Sequence, residues 1–213
     1  MAGGICVNGH HLVGVVLAGG ISSRMGRNKL QIKFHEPDGP DLLAKTVELL
    51  ARYCDRVIVA CGARQDIPGY DCIRDSVDGI GPIAGIQATL SATGKSILAL
   101  ASDLPFMNDA TVQRLVHEHA RRPGTAIMTT FRQVETGFIE ALTAVYEPVC
   151  LPFFDAAITA GESRISSAIP QALRHDILYT RAEALPFFNI NYPADLEAAR
   201  KVATDVYGSH AGR

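Results

Sequence analysis

The chain has 213 residues, 47% hydrophobic and 20% charged, with a formal net charge of −2. This suffices for the core of one domain and argues against a basic surface for nucleic acid polymers or acidic membranes. The five cysteines lack C-x-x-C spacing, which favours free thiols in a reducing compartment over a zinc or redox site. With no signal-peptide pattern and no apolar run of about 20 residues, we expect a cytoplasmic protein.

Apolar runs alternate with helical patterns along the chain. The first half predicts, in chain order, a strand at 12–16, a helix at 41–53, strands at 56–60 and 71–75, a helix at about 83–91 ending at Gly94, and a strand at 96–101. The second half predicts a helix capped by Asp109, strands at 125–130 and 141–146, a helix through Phe153 and Ala160, and a final helix with Leu196, Ala199, Ala203 and Val206 on one face. This alternation predicts a three-layer αβα fold around a mostly parallel, Rossmann-like sheet.

A glycine-rich segment, residues 17–29, directly follows the first predicted strand. Gly19 and Gly20 let the backbone turn sharply and approach a ligand closely. Arg24 and Lys29 add two cations, which predicts an anion site for phosphates. The spacing is neither that of a P-loop nor that of a dinucleotide fold. The alternative for Arg24 and Lys29 is that they are solvated surface cations.

Two carboxylates follow other predicted strands, where open parallel sheets bind their ligands. Asp75 comes after the third strand, and Asp103 follows the most apolar strand in a turn stiffened by Pro105. Asp103 next to a phosphate site is a candidate ligand of Mg²⁺, which takes one or two carboxylates with phosphate oxygens and waters. The alternatives are local: an Asx turn or helix cap for Asp103 and a strand-end cap for Asp75.

Four segments together resemble one enzyme family. They are LAGGISSRMGRNK at 17–29, GPIAGI at 81–86, SDLP at 102–105 and FNINYPADL at 188–196. The residue types in these segments and the order of the segments along the chain resemble the motifs of the molybdenum cofactor guanylyltransferases, the MobA family. The first motif is shared with many nucleotidyltransferases, and the last points to the molybdopterin branch.

The resemblance implies a fold of the nucleotide-diphospho-sugar transferase type in a single domain spanning residues 1–213. Within it, a nucleotide-binding part would cover about 12–110 and a pterin-side part about 111–206. The implied reaction transfers GMP from Mg·GTP to the phosphate of molybdopterin, or its molybdenum-loaded form, and releases pyrophosphate. Implied partners are GTP and molybdopterin as substrates, with molybdoenzymes or cofactor-delivery proteins as recipients.

The resemblance also implies roles for individual residues. The catalytic residues would be Arg24, Lys29 and Asp103, with Asp103 holding Mg²⁺. The GTP side would comprise Leu17, Ala18, Gly19, Gly20, Lys29, Asp75, Gly81, Pro82 and Asp103. Asn189 and Asn191 would belong to the pterin side. The local alternative for Asn191 is the cap of the last helix, with Pro193 in its first turn.

The sequence leaves two nucleotides open as the substrate, GTP and CTP. The family usually has an asparagine after the second strand, where this chain has Ala60 followed by Cys61 and Gly62. Small residues with glycine are frequent there in related cytidylyltransferases, so a molybdopterin cytidylyltransferase is the nearest alternative. A non-catalytic cofactor-binding protein is a third, and retention of Lys29 and Asp103 argues against it.

Overall fold

The computed structural model describes residues 11–18, 32–34, 39–62, 67–75, 77 and 79–207. Seven strands form one sheet: β1 Val13–Leu17, β2 Arg56–Ala60, β3 Cys72–Ile73, β4 Ile97–Ala101, β5 Met128–Gln133, β6 Ile139–Tyr146 and β7 Arg174–Tyr179. Their spatial order is β3-β2-β1-β4-β6-β5-β7. Strand β6 runs antiparallel to β4 and β5, and every other pairing is parallel.

Helices cover both faces of this sheet, which confirms the three-layer prediction. They are α1 Leu42–Leu50, α2 Pro82–Thr93, α3 Asp109–Ala120, α4 Leu151–Thr159, α5 Ile165–Ala168 and α6 Pro193–Tyr207. Apolar side chains of α1 and α3 form a core on one face. Those of α2, α4 and α5 form a core on the other face. Within the part of the chain given above, no helix combines the length and apolar character needed to span a bilayer.

The helix termini follow local chemistry. Asp41 Oδ1 accepts a 2.8 Å hydrogen bond from the amide of Ala44 at the start of α1. Gly94 ends α2 in the left-handed conformation, with φ +61°, as its position predicts. The prediction that Asp109 caps α3 is wrong. Asn108 has the extended backbone of a cap and its Oδ1 accepts from the amide of Thr111 at 3.0 Å, whereas Asp109 is already helical.

The later strands differ from the predictions. The strand predicted at 125–130 begins at Met128, because a turn in which the amide of Ala126 donates to the carbonyl of Pro123 precedes it. Strand β7 is absent from the prediction, since its first three residues are polar and only Ile177 and Tyr179 are buried. Because β6 is reversed, its first residues lie at the same edge of the sheet as the carboxyl ends of the parallel strands.

The cysteines in the described ranges are free thiols, as their spacing predicts: Cys54, Cys61, Cys72 and Cys150. Burial raises the pKa of Cys54 to about 12, and the charge of Asp55 acts in the same direction. Burial likewise raises the pKa of Cys150 to about 12. Both thiols are therefore protonated at neutral pH and are poor nucleophiles.

Candidate active site

The end of β1 is tied to both neighbouring strands at the carboxyl edge of the sheet. The carbonyl oxygen of Leu17 accepts hydrogen bonds from the amide of Ser102 at 3.3 Å and from its Oγ at 3.2 Å. The amide of Ala18 donates to the carbonyl of Ala60 at 2.9 Å. These bonds fix the point at which the glycine-rich segment begins. Of that segment, Gly19, Gly20, Arg24 and Lys29 lie outside the described residues.

The start of α2 lies at the same edge and approaches Asp75 closely. Gly81 precedes the helix with φ +89°, a conformation that favours glycine, and Pro82 takes the first helical position. One turn later, a β-carbon on Gly85 would lie only 2.8 Å from Cβ of Ala60 and 3.2 Å from Oδ1 of Asp75. The absence of a side chain at residue 85 therefore lets the helix pack directly on β2 and on the Asp75 carboxylate.

Ala60, where the related family usually has asparagine, lies in this same contact. Its side chain is 2% exposed and belongs to the core beneath α2. Because Gly85 has no side chain, α2 packs so closely on β2 that even a β-carbon at residue 85 would lie 2.8 Å from Cβ of Ala60. In this chain the small side chain at residue 60 thus serves the helix–sheet contact.

Asp103 has the position and chemistry of a magnesium ligand. It lies two residues after the end of β4, its side chain is partly exposed, and its Oδ1 is shielded from solvent. Carboxylate oxygens are hard donors that suit Mg²⁺, and one such ligand is enough when phosphate oxygens and waters supply the rest. Asp103 therefore fits a site that a bound nucleoside triphosphate would complete. The described residues include no cluster of three or more His, Cys, Asp or Glu side chains placed to hold a metal.

The segment 188–191 is joined directly to the Asp103 loop. The amide of Ile190 donates a 3.0 Å hydrogen bond to the main-chain carbonyl of Asp103. The Phe188 ring packs edge-on against Phe106 at 6.0 Å between centroids, and the Ile190 side chain is fully buried. Two predicted site segments that are far apart in the chain are thus brought together.

The two asparagines of that segment have different surroundings. Asn189 is partly buried, and within the described structure its buried Oδ1 accepts no hydrogen bond. Asn191 is exposed, and its amide and that of Tyr192 donate to Oδ2 of Asp195 at 2.9 and 2.8 Å. Because α6 begins at Pro193, Asn191 lies two residues before the helix, while Pro193 is in its first turn as predicted.

A groove of about 460 Å³ lies further along the same edge and was not predicted from the sequence. It is lined by the last residues of β5 and β7, the start of β6 and the segment 181–188, including Gln133, Phe138, Glu140, Tyr179, Arg181 and Phe188. Burial raises the pKa of Glu140, although a hydrogen bond from the Tyr179 hydroxyl opposes the shift. No sequence signal singled out Glu140, because it lies just before an apolar strand pattern and its partner is on the unpredicted β7.

Two relatives match most of the chain. A probable molybdenum cofactor guanylyltransferase of Mycobacterium tuberculosis is 32% identical over 198 residues, covering 88% of this chain and 92% of that protein. A molybdenum cofactor biosynthesis bifunctional protein of Synechocystis is 30% identical over 194 residues and 86% of this chain. The chain spans about half the length of this second relative, since the match covers 52% of it.

The fold is also that of a solved structure. Molybdopterin-guanine dinucleotide biosynthesis protein A of Archaeoglobus fulgidus superimposes with a TM-score of 0.71 at 23% identity, covering 91% of this chain and all of that one. The sheet is accordingly of the nucleotide-diphospho-sugar transferase type. The family model of the MobA-like NTP transferase domain matches residues 14–176, from the second residue of β1 to the first residues of β7. The match includes the carboxyl ends of β1 to β4. The chain therefore belongs to the MobA-like NTP transferase family and is a nucleotidyltransferase.

Proposed function

We propose that this enzyme transfers GMP from Mg·GTP to the phosphate of molybdopterin, forming the guanine dinucleotide cofactor and pyrophosphate. The observation that carries the proposal is the hydrogen bond from the Ile190 amide to the Asp103 carbonyl. It places the FNIN segment, typical of the molybdopterin branch, against the carboxylate loop that suits a metal-bound triphosphate. The names of the Mycobacterium and Synechocystis relatives support the same substrate class.

We expect the two substrates to lie over different strands of the sheet. The nucleotide would lie over the ends of β1 to β3, contacted by the backbone of Leu17 and Ala18 and by the start of α2 at Gly81 and Pro82. The acceptor would lie over β5 to β7, next to Asn189 and Asn191. Asp103, after the central strand β4, stands between the two sides. This arrangement would bring the acceptor phosphate towards the α-phosphorus of GTP.

The chemical problem is to bring two anions together. The acceptor phosphate is ionised near pH 7 and attacks the α-phosphorus itself, so the protein need supply neither a nucleophile nor a general base. Asp103 would hold Mg²⁺, which when bound offsets the charge of the triphosphate. Lys29 would bind the nucleotide phosphates with Arg24 beside it, and these cations would stabilise the departing pyrophosphate.

The same site fits a cytidylyltransferase in which Ala60 replaces the family's asparagine. To distinguish the two, purified protein is incubated with molybdopterin, Mg²⁺ and either GTP or CTP, and the products are identified by mass spectrometry. We expect the guanine dinucleotide. Preferential formation of the cytosine dinucleotide would replace the proposal with the alternative, and binding of both substrates without any product would point to a cofactor-binding protein.

Two matched variants test the proposed site in the same assay. Asp103→Asn removes one charge at the end of β4, and Asp55→Asn makes the same change at the opposite edge of the sheet, directly before β2. Product should form far more slowly in the first variant and at the wild-type rate in the second. Equal product from both variants would exclude Asp103 from the reaction.

A further inference from the structure

The groove between the ends of β5, β6 and β7 and the segment 181–188 has a distinctive chemistry. Its walls are largely aromatic and aliphatic, with Phe138, Leu185, Phe187 and Phe188 among them. Phe138 stands at the rim with 64% of its surface exposed. The Tyr179 and Phe187 rings pack against each other with centroids 4.6 Å apart, which gives the inner wall a fixed shape. Such a groove suits a flat heterocyclic ring.

One carboxylate interrupts this apolar lining. Glu140 is partly buried, and the Tyr179 hydroxyl donates a hydrogen bond to its Oε1. Arg181 also lines the groove, but it forms no ion pair with Glu140, and none of the other described cations does so. Oε2 accepts no hydrogen bond within the described ranges. A carboxylate held by one donor in a largely apolar groove offers strong acceptor capacity to a ligand with N–H groups.

The groove is also close to the proposed site of reaction. Phe188 lines it, and two residues later the Ile190 amide binds the carbonyl of Asp103. Two residues of extended chain span at most about 7 Å. A ring bound in the groove would therefore lie close enough for one of its substituents to reach the Asp103 loop.

The flat ring that meets these conditions is a 2-amino-4-oxopyrimidine, whose N–H and amino group are adjacent donors for one carboxylate. We propose that Glu140 binds this edge of the pterin acceptor, with Tyr179 positioning the carboxylate and Phe138 covering the ring. This inference rests on the proposed function. The guanine of GTP presents the same donor edge, but the groove lies on the far side of β4 from Leu17 and Gly81.

The test compares two ligands and two matched variants. Pterin and lumazine, its 2,4-dioxo analogue in which oxygen replaces the 2-amino donor, are titrated against the full chain by fluorescence. Wild type should bind pterin at least about tenfold more tightly than lumazine, since a charged hydrogen bond is lost and an oxygen faces the carboxylate. Glu140→Gln should lose this preference. Glu197→Gln, the same change at an exposed position on α6, should keep it.

Kinetics separate pterin from guanine binding. In Glu140→Gln the KM for molybdopterin should rise about tenfold or more while the KM for GTP stays unchanged. Tyr179→Phe keeps the ring and removes the hydroxyl that donates to Glu140. This variant should raise the KM for molybdopterin less than Glu140→Gln does, and its KM for GTP should also be unchanged. A rise in the GTP KM alone would assign Glu140 to guanine and overturn the inference.

The inference and the proposed function fail in different ways. Wild-type protein that forms the dinucleotide, together with a Glu140→Gln variant of unchanged acceptor KM, overturns the inference and leaves the function intact. Wild-type protein that forms no dinucleotide with any nucleotide overturns the function and the inference with it. Equal affinity of the wild type for pterin and lumazine would also contradict the proposed binding of the pterin edge by Glu140.

Discussion

The amide of Ile190 and the carbonyl oxygen of Asp103 form a 3.0 Å hydrogen bond that joins two segments far apart in the chain. The bond uses main-chain atoms only, so it is independent of the side chain at residue 103. It places Asn189 immediately beside the loop that carries the Asp103 carboxylate. The side chains of this junction can consequently be changed one at a time without breaking it.

Asp103→Asn should reduce kcat by about 100-fold, because a neutral amide is a much weaker ligand for Mg²⁺ than a carboxylate. The fold should remain, since the main-chain bond to Ile190 persists. Steady-state kinetics over a range of Mg²⁺ concentrations provide the measurement, with circular dichroism as the check on folding. Wild-type kcat at saturating Mg²⁺ would remove Asp103 from the metal site.

Asn189→Leu should make the protein more stable and less active. The buried Oδ1 accepts no hydrogen bond among the described residues, and an apolar side chain of similar size avoids that cost, which is about 1 kcal/mol. If Asn189 belongs to the acceptor site, the KM for molybdopterin should rise about tenfold. Urea unfolding and acceptor kinetics test the two effects. A less stable variant would indicate that the asparagine is structurally satisfied.

Gly85→Ala should destabilise the fold by about 1–3 kcal/mol. Helix propensity alone would predict the opposite effect on stability, since alanine is about 1 kcal/mol more favourable than glycine inside a helix. The cause is the β-carbon, which would lie 2.8 Å from Cβ of Ala60 and force α2 away from β2. Weaker GTP binding should accompany the loss, since Asp75 lies in the same contact.

The control for this change is Gly124→Ala, where no atom lies within 4 Å of the added carbon. Its unfolding midpoint should match that of wild type or exceed it. A Gly85→Ala protein as stable as the Gly124→Ala protein would show that α2 can shift without cost.

These contacts show which parts of the molecule a sequence reveals. Strand β2 was predicted at its observed bounds because it is a continuous apolar run, whereas the half-polar β7 was missed. Asp103 was proposed as a site residue because it lies just past the most buried strand, and its role stays a prediction. Glu140 was not proposed, since its contact with the Tyr179 hydroxyl on β7 exists only once the sheet has folded. Pairings across a sheet depend on topology, which local patterns do not encode.

Glu147→Gln should lower the free energy of unfolding by about 2 kcal/mol at pH 7. Arg122 Nη2 lies 2.6 Å and His119 Nε2 3.1 Å from its Oε1, and the Ser96 hydroxyl donates to Oε2 at 2.7 Å. Burial alone would raise the pKa of Glu147, but the hydrogen bonds and the charge of Arg122 outweigh it and lower the pKa.

The sign of the pH dependence follows from that lowered pKa. The carboxylate stabilises the fold at every pH above the ordinary pKa of glutamate, about 4.3, and this contribution is lost as the pH falls through the lower folded value. The difference between wild type and Glu147→Gln in urea unfolding should thus be full at pH 7 and shrink below about pH 4. A difference that grows on acidification would contradict the assignment.

The reversed direction of β6 has a consequence for how the chain reaches its native state. β5 and β6 are joined by residues 134–138, with the amide of Gly137 donating to Gln133 and that of Gln133 to Phe138. The other strand pairs are joined by longer stretches of chain, as when Val13 pairs with Ile97. Closing a short turn loses little chain entropy. We therefore expect the β5–β6 amides to gain protection first in pulsed hydrogen exchange, so that folding of the sheet starts beside the groove that carries Glu140.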